Sequence, residues 1–376
     1  MTTASADLVA SYLERVRTVA PIARRFADWS EQHARPADEL IDALRDADLL
    51  RMLVPPDLGG AGFSPWEIGP VLESMARVDG SAGWTLALSQ GALAHLLPRR
   101  VFIEMFGDAR ATLAGSLNPA SARAVKVAGG YRYSGKGTYV SGCTHATWMT
   151  AAALVVEDGK PKFIDGIPVI RAGVMPMADC TILDSWRVAG MRGTGSHDVV
   201  FEDLFVRDEL TFAQGDALAN LGAALAPVAL GIARHAIDAF VELAAAKVPA
   251  GARGLLKERT TAQAQLGQAE GLLQAARSFF YETAREGDAL RRESRQPSQE
   301  QRARLRLGSV MAAQLAAQCV DLIYDAAGLT AASTDCAIER CWRDVHVMRQ
   351  HITLATTRFE VVGRIYLGLE AASPLI

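Results

Sequence analysis

The sequence predicts an α+β protein with an N-terminal helical domain at 1–111, a middle β barrel at 112–215 and a C-terminal four-helix bundle at 216–376. Apolar residues recur at helical spacing in the first unit, and short β-prone runs divided by Gly and Pro turns fill the second. Long apolar stripes at helical spacing fill the third. Because helices and strands are segregated and do not alternate, a doubly wound dinucleotide-binding fold is excluded.

The N-terminal unit shows helical periods on both sides of a loop. Leu40, Leu44 and Ala47 lie at helical spacing, and Pro55-Pro56 ends this run. The glycine-rich stretch at 59–62 predicts a loop, after which the helical period resumes at 68.

The middle unit consists of short β-prone runs. Residues 131–134 alternate like a strand, and Asp158-Gly159 after the run at 150–156 is a hairpin signal. The further β-prone runs are 138–140, 163–164, 167–170, 185–188 and 199–201. Strands of this length with Gly and Pro turns predict a compact barrel or sandwich.

The C-terminal unit carries four apolar stripes, which pass through Val228, Leu273, Leu315 and Val345. Long helices with short joints form antiparallel bundles. The charged stretch at 286–300 contains a proline and predicts an exposed connection between two of the helices.

Composition limits the possible function. The chain has 376 residues, of which 50% are hydrophobic and 22% charged, so it can bury a large core. With 39 basic against 42 acidic residues, the charge balance argues against nucleic-acid binding by phosphate neutralisation. No uncharged apolar run of about 18 residues is present, so we expect no membrane span.

The cysteines and the polar N-terminus predict a cytoplasmic location. The five cysteines are scattered without a CxxC pair, which predicts reduced thiols and neither a disulfide framework nor a zinc site. The seven histidines show no metal-ligand spacing, and the first residues contain no apolar segment typical of a signal peptide.

Three segments resemble the acyl-CoA dehydrogenase superfamily. Residues 131–142 and 184–206 are similar to its two middle-domain signatures, and 338–344 resembles the start of its last bundle helices. The resemblance spans nearly the whole chain and implies the fold of that superfamily. It also implies a homotetramer, because the flavin sites of the family lie near subunit contacts.

The resemblance points to one branch. Many acyl-CoA dehydrogenases carry the carboxylate base in a Tyr-Glu-Gly-Thr segment shortly after an Arg-Asp pair, but here residues 348–354 contain no carboxylate. Arg343-Asp344 followed by His351 is similar to the flavin-dependent monooxygenases of this fold. Thr194-Gly195-Ser196, and Ser141-Gly142 followed by His145 and Trp148, also resemble that branch.

This branch implies a two-component enzyme. Such an enzyme takes reduced FMN or FAD from a flavin reductase and uses O2, through a flavin C4a-hydroperoxide, to oxygenate an aromatic or heteroaromatic small molecule. The alternatives are an FAD-dependent oxidation of a CoA thioester and a non-catalytic relative of the fold. Some hydroxylases of the branch place a histidine shortly after a Gly-Trp pair. After Gly83-Trp84 this chain has Ala92 there, followed by His95, which leaves sulfur, nitrogen and indole substrates open.

The catalytic candidates are Ser141 and His351. Ser141 at a strand end is expected to bond flavin N5, and the alternative is an ordinary strand-terminating turn. His351 is expected to manage protons, since an imidazole with a pKa of about 6.5 serves as donor or acceptor, and the alternative is a structural histidine. His346 is the second choice for this role.

The remaining candidates are predicted to bind the cofactor. The flat ring of Trp186 suits stacking on the flavin, unless it only fills the core. The loop at 192–196 offers backbone and hydroxyl donors that can approach a phosphate or the flavin edge, because glycine lacks a Cβ; the alternative is a β-turn with a capping serine. The cofactor-binding candidates are Asn118, Ser141, Trp186, Arg192, Gly193, Thr194, Ser196 and Arg253, with Arg259 and Arg277 as further phosphate ligands.

Overall fold

The N-terminal unit packs short helices against one long helix. A computed structural model of the chain describes residues 3–91 and 96–370. The helices of this unit are α1 (Thr3–His33), α2 (Asp38–Asp46), α3 (Gly69–Ala76), α4 (Gly80–Leu88) and α5 (Arg99–Phe106). Helix α4 begins after Asp79, whose side chain accepts the backbone N–H of Ala82 at 2.7 Å and caps the helix.

The middle unit is a mainly antiparallel sheet. Its strands are β1 (Leu113–Ser116), β2 (Ala122–Val127), β3 (Gly130–Val140), β4 (Trp148–Glu157), β5 (Lys160–Pro161), β8 (Ile170–Pro176), β9 (Thr181–Leu183), β10 (His197–Arg207) and β11 (Thr211–Ala213). The order is β11-β8-β4-β2-β3-β10-β9, and β1 and β5 also pair with β4. A separate ribbon joins β6 (Phe163–Ile164) to β7 (Ile167–Pro168). Strands β9 and β11 stand at the ends of the sheet.

The strand predicted at 185–188 is wrong. These residues form a loop between β9 and β10. The backbone N–H groups of Ser185 and Trp186 both donate to Nδ1 of His197, at 3.2 Å each, so no neighbouring strand accepts them. The side chain of Trp186 therefore projects from a loop.

The C-terminal unit is the predicted helical bundle, formed by α6 (Gln214–Ala246), α7 (Thr260–Arg292), α8 (Gln299–Ala327) and α9 (Ala337–Met348), with α10 (Arg358–Tyr366) after it. Helix α7 is longer than predicted, because Leu290 is buried and Asp288 accepts Ser64 Oγ at 2.9 Å. The predicted connection at 286–300 is therefore only the short segment 293–298. Within the described residues, Leu221–Ala246 and Gln299–Ala332 are long and apolar enough to cross a membrane, but most of both is buried, as in core helices.

Two hydrophobic cores meet in the molecule. One joins the N-terminal helices to the bundle, and the other lies inside the sheet and includes α5. The predicted domain boundaries at 111/112 and 215/216 stay a prediction; β1 begins at Leu113 and α6 begins at Gln214. A large cavity lined by residues of both cores lies between them.

Candidate active site

A cavity of about 1290 Å³ lies where the end of β3, the loop at 186–196, α4 and the segment after α9 meet. Of the predicted site residues, the structure brings Asn118, Ser141, Trp186, Thr194, Ser196 and His351 to its wall. Its lining is mainly apolar, so water held in it has few hydrogen-bonding partners.

Four side chains and one carbonyl form a continuous hydrogen-bonded series on the wall, which we name the hydroxyl chain. Trp84 Nε1 lies 3.0 Å from Ser141 Oγ, and Ser141 Oγ lies 2.7 Å from Ser196 Oγ. Ser196 Oγ lies 2.7 Å from Thr194 Oγ1, which donates to the backbone carbonyl of Met191 at 2.8 Å. All four side chains are buried.

The bond from Thr194 to the Met191 carbonyl sets the direction of the hydroxyl chain. An indole N–H only donates and a carbonyl only accepts. Because the proton of Thr194 goes to Met191, the bond from Thr194 to Ser196 must use the proton of Ser196. The bond between Ser196 and Ser141 then uses the proton of Ser141. Ser141 Oγ therefore keeps one lone pair free and has no proton to donate.

A hydrogen bond from the backbone of Met191 to helix α9 of the bundle holds the loop in place. The Met191 N–H donates to the carboxyl group of Asp344 on α9, and the Met191 carbonyl also accepts Trp186 Nε1 at 3.1 Å. Met191 adopts the left-handed conformation with φ of 56°. Burial raises the pKa of Asp344 to about 7, while the Met191 N–H acts in the opposite direction and nearby Asp79 raises the pKa further. One carboxyl group thus positions the loop that carries Trp186 and Thr194.

His351 faces the cavity as a neutral imidazole. The backbone N–H of Thr353 donates to His351 Nδ1 at 3.3 Å, so in the neutral ring the proton sits on Nε2. The ring meets that of Trp84 edge to face, with centroids 5.6 Å apart. Burial lowers the pKa of His351 to about 4, well under the value expected from the sequence. The group is thus a hydrogen-bond donor and not a base near neutral pH.

Three predicted cofactor ligands lie away from this cavity. Gly193 packs on the helices, where an added Cβ would lie 3.1 Å from the side chains of Ser30 and Ser81. Arg192 Nε donates to the backbone carbonyl of Glu31 at 3.2 Å. Arg253 is exposed in the segment after α6 and lines neither of the two described cavities. Arg192 and Gly193 were expected at a phosphate or the flavin edge and Arg253 at the flavin phosphate, and these roles stay predictions.

Arg192 lines a second cavity of about 500 Å³. This cavity is polar and also contains His33, Asp184 and Arg187. Trp186 and Val188 line both cavities. The Trp186 side chain is therefore a wall between an apolar cavity and a basic one. Of the further arginines, Arg259 is exposed and Arg277 pairs with Glu73 at 2.8 Å.

Two polar candidates on the lining have structural partners. Asn118 Oδ1 accepts the backbone N–H of Ala120 at 3.2 Å, and its amide donates to Thr138 Oγ1 at 3.2 Å, so its side chain also stabilises a turn. His346 Nε2 forms a hydrogen bond with Asp321 Oδ1 at 2.8 Å. His95 and Ala92 lie outside the described residues.

Trp84 and Tyr139 line the cavity but are not among the site residues predicted from the sequence. Trp84 served only as a landmark, since a tryptophan on an apolar helix face usually fills a core. Tyr139 has a left-handed φ of 58°, is 67% exposed at the cavity, and meets Trp186 edge to face at 6.2 Å. A strained, exposed aromatic residue inside a strand leaves no sequence signal, although the β-prone run around it was recognised.

Family models for acyl-CoA dehydrogenases match both ends of the chain. The model of the N-terminal domain matches residues 8–100, and that of the C-terminal domain matches 223–356, together more than half of the sequence. The chain belongs to the acyl-CoA dehydrogenase superfamily. The predicted fold and the resemblance are thereby confirmed.

Relatives within the superfamily are named as monooxygenases. Indole-3-acetate monooxygenase of Pseudomonas putida is 29% identical over 88% of this chain and 87% of that protein. The flavin-dependent monooxygenase oxygenase subunit HsaA of Mycobacterium tuberculosis is 28% identical over 97% and 98%. XiaF from Streptomyces sp., solved in complex with FADH2 and glycerol, is 25% identical, covers 99% of this chain and 98% of its own, and has a TM-score of 0.92.

The cavity differs from what an acyl-CoA dehydrogenase reaction requires. That reaction needs a carboxylate to remove the α-proton of the thioester, yet among the described residues on the lining none is Asp or Glu. The titratable groups on the lining are Tyr139, Arg291, His346 and His351. The described lining of this cavity therefore has a donor imidazole and no carboxylate that could act as a base.

Proposed function

We propose that this chain is the oxygenase component of a two-component flavin-dependent monooxygenase. It takes reduced FMN or FAD from a flavin reductase and uses O2 to oxygenate an aromatic or heteroaromatic small molecule. The observation that carries the proposal is a large apolar cavity that has Ser141 and His351 on its wall and no described carboxylate. The names of the relatives support the same reaction.

The residues present fit a flavin. Sites for one drug-sized ligand are roughly 300–1,000 Å³, so the cavity of about 1290 Å³ has room for a ring system and a second small molecule. Trp186 offers a flat face for a flat ring. When bound, the reduced flavin supplies the two electrons that activate O2.

Ser141 and His351 supply two different hydrogen bonds, one as acceptor and one as donor. The free lone pair of Ser141 Oγ accepts an N–H, such as that at N5 of reduced flavin. The Nε2–H of His351 stabilises negative charge that develops on oxygen. The apolar lining, which includes Leu53, Phe63 and Leu113, keeps water from protonating the reacting oxygen and releasing peroxide.

The second cavity suits the phosphorylated end of the cofactor. It lies across Trp186 from the first, and it contains Arg187 and Arg192 against one carboxylate, Asp184. Arg187 Nη2 already bonds Asp184 at 3.1 Å, which leaves Arg192 as the arginine for a phosphate. Guanidinium groups bind phosphate oxygens in a bidentate manner.

Assembly and location are further parts of the proposal. We propose a homotetramer, in which Arg253 reaches the flavin of a neighbouring copy, and a cytoplasmic location. The five cysteines are all free, which fits a reducing compartment. Light scattering of the purified protein measures its mass in solution, and a monomer contradicts the assembly.

A coupled oxygenation assay tests the function. Purified protein is mixed with reduced FMN or FAD, O2 and an indole or phenol, and oxygenated product and hydrogen peroxide are both measured. We expect product to form at the expense of peroxide. If the flavin reoxidises at its free-solution rate and releases only peroxide with every aromatic compound tried, the proposal is wrong. Bleaching of bound FAD by an acyl-CoA would instead support the dehydrogenase alternative.

A further inference from the structure

The hydroxyl chain determines which redox form of the flavin Ser141 can bond. Reduced flavin carries a hydrogen on N5, whereas oxidised flavin has a bare nitrogen lone pair there. Ser141 Oγ accepts from Trp84 Nε1 and gives its own proton to Ser196. It therefore has a lone pair for the N5–H of reduced flavin and no proton for the N5 of oxidised flavin.

We propose that Thr194 is the positioning residue that sets this preference, and that the site thereby favours reduced over oxidised flavin. The inference rests on the proposed function, because it takes Ser141 as the partner of N5. Thr194 is completely buried, so no water replaces its bonds. Its hydroxyl group is the only member of the hydroxyl chain that donates directly to the Met191 carbonyl.

Reversing the hydroxyl chain has a definite energetic cost. For Ser141 to donate to oxidised N5, Ser196 must donate to Ser141 and Thr194 must donate to Ser196. The Met191 carbonyl then keeps only the bond from Trp186 Nε1. One buried hydrogen bond is lost, which corresponds to a discrimination of about five-fold against oxidised flavin.

The bundle holds the end of the hydroxyl chain in place. Asp344 accepts the N–H of Met191, and the backbone N–H of Gly142, next to Ser141, donates to the Thr194 carbonyl at 3.0 Å. The two segments that carry the hydroxyl groups are thus fixed to each other independently of the side chains. A substitution at Thr194 changes the direction of the bonds more than the position of Ser141.

Thr194→Val tests the inference because it removes the hydroxyl group and keeps the shape. Without that acceptor, Ser196 can donate to Ser141, and Ser141 is free to donate to oxidised N5. Thr194→Ser retains the hydroxyl group and serves as the conservative variant. Ser196→Ala is a second way to free the proton of Ser141 and covers the case in which the valine variant fails to fold.

The measurement is the dissociation constant of FMN in both redox states, oxidised in air and reduced under anaerobic conditions. In wild type we expect tighter binding of the reduced form. Thr194→Val and Ser196→Ala should tighten oxidised FMN about five-fold relative to reduced FMN, and Thr194→Ser should keep the wild-type ratio. For a two-electron couple, this five-fold change lowers the midpoint potential of flavin bound to Thr194→Val or Ser196→Ala by about 20 mV relative to flavin bound to wild type.

Two results overturn the inference, and they are distinguishable. If wild type binds flavin but Thr194→Val, Ser196→Ala and wild type share one ratio, the hydroxyl chain does not set the preference and the proposed function stands. If wild type binds neither form of FMN or FAD, the proposed function fails and the inference fails with it.

Discussion

The carboxyl group of Asp344 on α9 accepts the backbone N–H of Met191, which joins the helical bundle to the loop beside the sheet. The Met191 carbonyl in turn accepts Trp186 and Thr194. The backbone of one residue, Met191, therefore links a buried acid to Trp186 and to the hydroxyl chain. Removing the acceptor by Asp344→Ala leaves a buried N–H unpaired, at a cost of roughly 1–3 kcal/mol.

Asp344→Asn should change how stability depends on pH. The folded-state pKa of Asp344 is raised to about 7 from an ordinary value near 3.8, so the native state holds a proton that the unfolded state loses. This contribution to stability is complete below the ordinary value and is lost as pH rises through about 7. The amide keeps an oxygen for Met191 but does not titrate.

The measurement for Asp344 is urea unfolding of both proteins at pH 5 and pH 8. We expect the asparagine variant to gain in stability relative to wild type as pH rises. Subtracting the unfolding free energy of wild type from that of the variant at each pH cancels the contributions of other titratable groups. The exceptions are the groups that face Asp344, namely Asp79, Glu31 and Arg343. A difference that is constant with pH contradicts a protonated Asp344.

His351→Phe should uncouple oxygenation. Phenylalanine keeps a ring against Trp84 but removes the Nε2–H donor, so we expect product per reduced flavin to fall about ten-fold or more and peroxide to rise. Because the pKa of His351 is lowered to about 4, the wild-type yield should show no titration of this group between pH 6 and 8. An unchanged yield in the variant would show that His351 is structural.

The pH dependence of the free energy of unfolding also tests whether His351 is a buried neutral imidazole. A depressed histidine pKa in the folded state means that the unfolded state binds the proton first. Its contribution is present above about 6.5 and is lost as pH falls toward 4. Wild type should therefore lose stability over this range relative to His351→Phe, and parallel curves of the two proteins would argue against the buried neutral imidazole.

Arg192→Ala should weaken binding of the phosphate group of FMN. Loss of a charge-assisted hydrogen bond reduces affinity about ten- to hundred-fold. Riboflavin, which lacks the phosphate, is the matched ligand and should bind the variant and wild type alike. An equal loss for riboflavin and FMN, measured by fluorescence titration, would assign Arg192 a structural role through Glu31.

Gly190→Ala should destabilise the contact between the loop and α9. An added Cβ would lie 2.3 Å from the backbone oxygen of Arg343, so the loop must move. Overpacking of this kind costs about 1–3 kcal/mol. Gly267→Ala on α7 is the control, since its Cβ meets nothing within 4 Å and helix propensity favours alanine. Equal unfolding midpoints for the two variants would contradict the close approach.

The sequence was sufficient for the fold and for part of the candidate site. Helical stripes predicted α6 to α9, and Ser141, Trp186 and His351 do line one cavity, although their roles stay predictions. The role of Arg192 stays a prediction; its place outside the main cavity follows from the packing of Gly193 on Ser30 and Ser81. That contact joins residues far apart in the chain, and no local pattern encodes it.

Contacts between residues far apart in the chain also explain the other incorrect or missing predictions. Ser185 and Trp186 read as strand residues, but His197 takes their N–H groups. The neutral state of His351 depends on burial, which spacing does not reveal. The direction of the hydroxyl chain depends on Trp84, Thr194 and Met191 together, and only coordinates bring these three residues side by side.

The location of the cavity between two separate cores has a thermodynamic consequence. A ligand that fills the cavity contacts residues of both hydrophobic cores. Without the ligand, each core stabilises its own part of the chain. Binding to the native state raises apparent stability by mass action. Thermal unfolding curves recorded with and without cofactor should therefore differ in shape as well as in midpoint. Without cofactor we expect two partly independent transitions, and with cofactor a single one.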